Sequence, residues 1–596
     1  MAYNVEWGKN CRKNEPCKRI DVPFCGRIVA GKNTYVYDAH TYHTKVPPEG
    51  IEQLIDYYTD PGDTVLDPFC GSGMTGVAAL RRERNVLLSD LSPAATFIAR
   101  NLTSPIDAER YWTAVQELLS RGEELRKQLY TTKCRECGKD AEVLYTVWSY
   151  NLICSACKKE FCLWDVARDE RKSVKESKIR TEFNCPHCSA FLKKRLLRRT
   201  TLHPVAVGYK CCEKSLKEKM VELTADDLSF ISGLDYSSIP QELWYPQNPF
   251  PKGVNTSQPI SNGIDTIEKS YFPRALWAFS FLWNEANNWN DKAIREKLLF
   301  TLTSLYQRIT KFSEFRFWGG SGNTANYNVP QIINEQNVFL AFERKAKTIY
   351  LYFSSEKKHD NVFCEVSTQS ACHLNQLDNS SIDYVFTDPP FGANINYSEM
   401  NYLWESWLNE FTDSTEEAIV NKVQGKNASD YGNLMRDALS EIQRVLKPGG
   451  WLTLMFHNSS DRIWKELQNA IIKAGFSIDG IVLFDKVHGT FKQFVSDNAV
   501  GLDLVLNCKK KEHSSCSDYS ISVIKTDEEQ EAVSFAMQQL VTHSEEEYTV
   551  HYEHVRRADE FNFRKLYSEW LASIVDKEIV AVDFERFRLL VSRLLK

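Results

Sequence analysis

Two short stretches hold residues whose types and spacing could do chemistry together: 65–76, VLDPFCGSGMTG, and 382–391, IDYVFTDPPF. In the first, Asp67, Pro68 and Phe69 lead into glycines at 71 and 73, where no Cβ stands between the backbone and a ligand. The Gly-x-Gly spacing is shorter than a dinucleotide fingerprint, and no Gly-Lys-Ser/Thr follows, so pyridine nucleotides and ATP are disfavoured. About twenty residues on, the apolar run 85–89 ends in Asp90, where an acid would meet two ribose hydroxyls. In the second stretch, the Asp388 carboxylate and the Pro389 carbonyl can each accept one hydrogen of an NH₂ group. Pro389 and Pro390 fix φ at consecutive residues and remove two competing N–H donors. With both hydrogens held, the lone pair of the amine turns out of conjugation and toward an electrophile. Phe391 would stack on the ring that bears the amine, an interaction worth roughly 1–3 kcal/mol in single-strand binders.

Each stretch needs a strand behind it and a turn at the carboxyl end of that strand. Residues 64–66 and 384–386 are apolar runs that read as buried strands, and a helix begins at about 75, where VAALRR has a helical pattern. Strands alternating with helices predict an α/β fold with a mainly parallel sheet covered on both faces. Helices are also predicted at 273–287 and 292–310, and in the C-terminal region at 526–544 and 559–596. The loop 313–328, SEFRFWGGSGNTANYN, either fills the hole left by a displaced base or is an ordinary hairpin loop. The helix 394–407, with Tyr397, Tyr402 and Trp404, forms a pocket wall or core.

The segments 67–73 (DPFCGSG) and 388–391 (DPPF) resemble the cofactor-binding and catalytic motifs of the DNA amino-methyltransferases that act on adenine N6 or cytosine N4. Segment 40–48 (HTYHTKVPP) resembles the family's stretch that packs on the methionine part of the cofactor, which brings in Lys45. The helix and LKPGG turn of 428–450, the strand 451–456 and the FHN…W of 456–464 match later motifs; the likeness covers about 35–105 and 350–508. It implies a class I methyltransferase fold that uses S-adenosyl-L-methionine, with Asp67, Pro68, Phe69, Gly71, Gly73, Asp90 and Lys45 binding it and Asp388, Pro389, Pro390 and Phe391 catalytic. Asp rather than Ser at 388 points to adenine N6. Glu365 or another group takes the place of the acid usual at the end of the third strand. Double-stranded DNA is the implied substrate, with base flipping, and restriction-modification or phage defence, with a partner protein, the implied setting. RNA base methylation, N4-cytosine methylation and a catalytically silent recognition subunit are the alternatives. Cys70 lies inside the cradle and reads as packing; a 5-methylcytosine enzyme would need a Pro-Cys turn.

Between the two halves lies an insertion of about 240 residues. Of seventeen cysteines, nine fall between 134 and 212. Cys134-x₂-Cys137 and Cys154-x₂-Cys157, sixteen residues apart, suit a four-thiolate zinc ribbon. A second zinc would use Cys185 and Cys188 with Cys211 or Cys212 and Cys162 or His203. The expected division is 1–125 (cofactor cradle), 126–220 (zinc ribbon), 221–345 (helical, possible target recognition), 346–510 (catalytic DPPF) and 511–596 (helical). The opening MAYNVEWGKNCRK has no apolar signal region, so a cytoplasmic, reducing setting is expected and metal is preferred over disulfide. No run approaches a membrane span. The net charge of −6 does not advertise a nucleic-acid binder, but Arg171, Lys172, Lys175, Lys193, Lys194, Arg195, Arg198 and Arg199 form a candidate phosphate-facing stripe.

Overall fold

The computed structural model describes residues 7–9, 16–26, 28–31, 34–171, 176–210, 218–317, 327–357, 361–393, 395–456, 460–487 and 503–511, with short stretches between 532 and 591. Cys211, Cys212, Lys172, Lys175, His457, Asn458, the centre of the 313–328 loop and most of the predicted C-terminal helices lie outside the described residues.

Strands of Val, Leu, Ile, Tyr and Phe build an eight-stranded sheet in the order Ile28–Gly31, Phe476–Val487, Asp503–Lys510, Leu446–Phe456, Ile382–Thr387, Thr64–Asp67, Asn85–Asp90, Cys364–Thr368. Every neighbouring pair is parallel except the two made by Asp503–Lys510. Helices cover both faces, so the central strands Thr64–Asp67 and Ile382–Thr387 are buried at every residue. On one face the core is built with helices Ala428–Val445 and Asp461–Lys473, and Tyr567, Trp570 and Phe587 of the C-terminal region join it. On the other it continues into the insertion. This is the α/β class I methyltransferase fold.

The chain leaves Thr64–Asp67 toward Asn85–Asp90 on one side and returns, after the insertion, to Ile382–Thr387 on the other. Such a reversal of strand order leaves a crevice beyond the carboxyl ends of the central strands, where ligands of open α/β sheets sit.

The insertion has its own antiparallel sheet, Glu218–Val221, Arg198–Lys210, Asp140–Ile153 and Ile332–Gln336, with short strands Thr131–Lys133 and Glu160–Cys162 also paired to the long Asp140–Ile153. The last edge strand comes from the segment expected to be helical, so the ribbon and helical parts share one sheet. A buried ion pair, Arg274 to Glu335 at 2.8 Å, fixes helix Pro273–Asn287 to that edge. The helix after it ends at Thr303 rather than 310. No helix among the described residues is long and apolar enough to cross a membrane.

Candidate active site

Parallel pairing sets Tyr384 beside Val65 and Val385 beside Leu66, so the two strands deliver their carboxyl-terminal turns side by side. Asp67, the last residue of its strand, accepts from the Thr387 hydroxyl at 2.9 Å, the residue immediately before Asp388. It also accepts from the Thr75 hydroxyl at 2.5 Å and the Phe69 N–H at 3.1 Å, and burial pushes it up to about 7. Asp67 is therefore a bolt between the two motifs, 320 residues apart in sequence.

A cavity with about 930 Å³ of empty space, its open mouth included, lies over both turns. Gly71, Asp90 and Leu91 line it together with Asp388 and Pro390. The Asp90 carboxylate accepts from the N–H groups of Gly71 and Ser92, both at 2.9 Å, and burial raises it to about 6. Its remaining lone pairs suit hydroxyl donors, and this is the observation by which an adenosine-bearing cofactor fits. Tyr42 and Thr44 of the 40–48 segment also line the cavity, and the Thr44 hydroxyl meets that of Tyr397 at 3.1 Å.

Behind the wall, Ser92 donates to Glu405 (2.6 Å) and accepts from Asn401 (2.9 Å), while His43 donates to the Asn401 carbonyl oxygen at 3.1 Å. This network holds Tyr397–Leu408, the helix after the Asp388 turn, to the cradle. Trp404 belongs to the core, donating to the Thr303 carbonyl, and Tyr402 reaches the Pro249 carbonyl, so of the three aromatics only Tyr397 faces the cavity.

Several expected residues serve otherwise. A Cβ on Gly73 would lie 2.7 Å from the Ala99 Cβ, so this glycine lets the turn close on helix Pro93–Thr103; it is not among the cavity-lining residues. Pro68, Phe69 and Cys70 line the cavity. Lys45 does too, but its ammonium donates to the carbonyls of Tyr37 and His40 (2.8 Å to the latter), and burial lowers it to about 7. Pro389 is buried beside the cavity residues, and the Pro390 carbonyl accepts from the Tyr431 hydroxyl at 3.1 Å, which braces the turn. Phe391 packs edge-on against Phe456, ring centres 5.9 Å apart, and is absent from the lining. Glu365 accepts from the Gly8 N–H at 2.7 Å and does not line the cavity. Ser370, Ala371 and Cys372, just past the third strand, line it instead, as do Glu416, Glu417 and Ala418; only the turn after a strand marks the first group in sequence.

The cysteines pair differently from the expectation. Cys134-x₂-Cys137 and Cys154-x₂-Cys157 flank the two ends of one continuous strand, Asp140–Ile153, whose fourteen residues at about 3.3 Å each hold them some 45 Å apart. Cys154 and Cys157 instead meet Cys185 and Cys188, the one group of three or more candidate ligands among the described residues. The Cys154–Cys188 and Cys157–Cys185 sulfurs are 3.8 Å apart. That is the edge, about 3.8 Å, of a tetrahedron whose corners lie about 2.3 Å from a central zinc, and it is far too long for a disulfide. Cys162 meets the Ser149 hydroxyl and His203 the Thr201 hydroxyl, and neither belongs to this group. All three C-x₂-C turns share one shape, in which the first Cys N–H donates to the carbonyl five residues on (Lys139, Lys159, Ala190) and its own carbonyl accepts from the N–H four residues on. Cys134 and Cys137 thus form a third knuckle of the same shape, apart from the Cys154 and Cys157 expected beside it; Cys211 and Cys212, expected beside Cys185 and Cys188, lie outside the described residues.

A family model described as DNA methylase matches residues 6–101. The curated Type II methyltransferase M.MjaII of Methanocaldococcus jannaschii is 28% identical over 98 residues, 16% of this chain and 18% of that protein. Type II methyltransferase M.XycI of Xanthomonas campestris pv. cyanopsidis is 38% identical over 73 residues, 12% of this chain and 24% of that protein. The chain thus spans about a fifth to a quarter of the length of these relatives. A solved SAM-dependent methyltransferase from Methanosarcina mazei is 15% identical, covering 28% of this chain and 77% of that one, with a TM-score of 0.17. Over residues 6–101 the chain is similar to the DNA methylases.

Proposed function

We propose that the protein is an S-adenosylmethionine-dependent DNA methyltransferase acting on the exocyclic amino group of a flipped base, adenine N6 by preference. One observation carries the reading: the Thr387 to Asp67 hydrogen bond holds the glycine turn and the Asp388-Pro389-Pro390 turn against one cavity. The description of the matching family model, DNA methylase, supports DNA as the substrate.

The cofactor supplies a methyl group on a positively charged sulfonium. Asp90 accepts hydrogens from the ribose hydroxyls, and Gly71 leaves room for the chain of the cofactor to pass. Asp388 and the Pro389 carbonyl each accept one amino hydrogen, which fixes the orientation of the amine and leaves its lone pair unblocked. Asp388 works as an acceptor, since the amine proton need leave only after transfer. The protein contributes orientation and desolvation and forms no covalent bond to the base. Adenine over cytosine rests on the Asp at 388. The four thiols of Cys154, Cys157, Cys185 and Cys188 would hold a structural zinc, which belongs in a reducing cytoplasm. The setting in restriction-modification or phage defence rests on family analogy.

The test is a transfer assay with methyl-labelled cofactor on duplex DNA, tRNA and ribosomal RNA, followed by mass spectrometry of the nucleosides. The expected product is 6-methyladenine from DNA. 4-Methylcytosine would move the base assignment, label in RNA alone would replace the substrate, and no cofactor binding at high micromolar concentration would overturn the enzyme reading.

A further inference from the structure

Resting on the DNA reading above, we propose that the hairpin formed by strands Glu182–Asn184 and Phe191–Lys193, with the turn Lys194–Leu196 after it, is a docking surface for duplex DNA. Its two apolar residues seat against the sugars and base edges, and its arginines seat on phosphates.

Leu196 and Phe191 are the two most exposed large apolar side chains among the described residues, 70% and 62% exposed. The strand register explains Phe191: Leu192 opposes Phe183 on the covered side of the hairpin, so Phe191 and Lys193 share the open side. Around them the basic run sorts by partner. Arg199 stacks on the Tyr150 ring and donates to the Val329 carbonyl, and Lys194 is half-buried, so both are less open to solvent than the arginines beside them. Lys193 shares Glu182 at 3.1 Å. Arg195 and Arg198 are exposed and make no ion pair among the described residues.

Charge identifies the occupant. Residues 154–199 carry thirteen Lys and Arg against six Asp and Glu, a net +7 inside a chain whose net is −6. An apolar pair close in sequence to two arginines that make no ion pair among the described residues complements a polyanion that also offers apolar surface, and proteins that kink DNA use that combination. A protein partner would need matching acidic residues around an apolar socket, and it enters as an outcome of the test.

The hairpin is also tied to the cavity wall through one segment, 327–331. The Lys194 carbonyl accepts from Gln331 at 3.3 Å and Arg199 holds Val329. A few residues earlier, the Tyr327 hydroxyl donates to the Met400 carbonyl on Tyr397–Leu408, the helix whose first residue lines the cavity. DNA held at the hairpin is therefore held by a body joined to the wall of the base pocket.

The experiment uses the full chain and fluorescence anisotropy with a labelled duplex at several salt concentrations, plus metal content and S-adenosylhomocysteine binding as integrity controls. Arg195→Ala with Arg198→Ala should lower the slope of log affinity against log salt by about 1.8, so that the rise in Kd between about 50 and 200 mM salt shrinks about tenfold. Phe191→Ala with Leu196→Ala should weaken binding at every salt concentration and leave the slope unchanged. Both variants should keep metal and cofactor binding. Unchanged DNA affinity and slope in both, with the wild type binding and methylating DNA, would overturn the docking proposal alone. The same holds if only the apolar pair matters and what it disrupts is self-association or a protein complex. A wild-type chain that neither binds nor methylates DNA would instead remove the functional reading on which the proposal rests.

Discussion

Replacing Gly73 and Gly71 by alanine, one at a time, separates what the fold requires of the glycine turn from what a ligand requires. Gly73 has φ +80°, and a Cβ there would lie 2.7 Å from the Cβ and 2.8 Å from the Cα of Ala99. The left-handed conformation costs an L residue roughly 1–2 kcal/mol. Ala99 belongs to helix Pro93–Thr103, so the contact is relieved only by moving backbone, an overpacking cost of roughly 1–3 kcal/mol. Gly73→Ala should therefore lose about 2–5 kcal/mol with no ligand present. For a sheet domain of this size that lowers the melting midpoint by at least about 4 °C. Gly71, at φ +48°, would bring its Cβ within 2.9 Å of Tyr42 Cε1, the edge of a ring that can turn aside. Its stability cost stays near the conformational one, about 1–2 kcal/mol, but Tyr42 lines the cavity and moves with it. Gly71→Ala should mainly weaken cofactor binding. Scanning calorimetry without ligand and titration with S-adenosylhomocysteine read the two effects apart. If Gly73→Ala melts with the wild type, or weakens the cofactor without lowering the midpoint, the division of labour drawn here is refuted.

Thr387→Val removes a donor from the buried Asp67, which should cost about 1–3 kcal/mol. It should also slow transfer by letting the two turns drift; a melting midpoint and transfer rate equal to the wild type would show that the bond positions nothing. Burial raises Asp90 to about 6, so at pH 5 only about a tenth of it is ionised and able to accept from two hydroxyls at once. Affinity for S-adenosylhomocysteine should rise about tenfold from pH 5 to pH 8 and level off above pH 7, and a flat profile would remove Asp90 from the ribose. Cys154→Ser should release the metal of the 154/157/185/188 site and destabilise the insertion, because binding there is coupled to folding. Metal content by mass spectrometry checks this, and an unaltered value would contradict the ligand set.

Glycine and proline punctuate the chain strongly enough that both turns at the sheet's carboxyl edge are legible in the sequence. Parallel strands of an α/β fold then leave few places for them to meet. The purpose of Gly73 was not legible, because a missing Cβ looks the same whether a ligand or a neighbouring helix occupies its place. Phe391 and Lys45 follow the same logic: a side chain next to a motif has several cavities and carbonyls within reach, and packing against Phe456 or against the end of helix Tyr35–Ala39 decides the matter. The cysteine pairing depended on residues between the knuckles. The run 140–153, DAEVLYTVWSYNLI, is rich in β-branched and aromatic residues, a signal for one long strand, and a strand that long keeps its ends apart. Ser370 and Glu416–Ala418 carry no motif at all; they reach the cavity through short turns whose direction only the whole sheet sets.

The claim at the centre of this account is that the cradle holds a cofactor while the neighbouring turn grips the amine, as two separable jobs over one cavity. Asp388→Ala tests it when cofactor titration and methyl transfer to DNA are measured on the same preparation. The account predicts a cofactor Kd within about threefold of the wild type and a transfer rate lower by at least about a hundredfold, the scale on which loss of one oriented polar contact acts in an active site. Transfer at the wild-type rate, or cofactor binding lost in step with transfer, would contradict it.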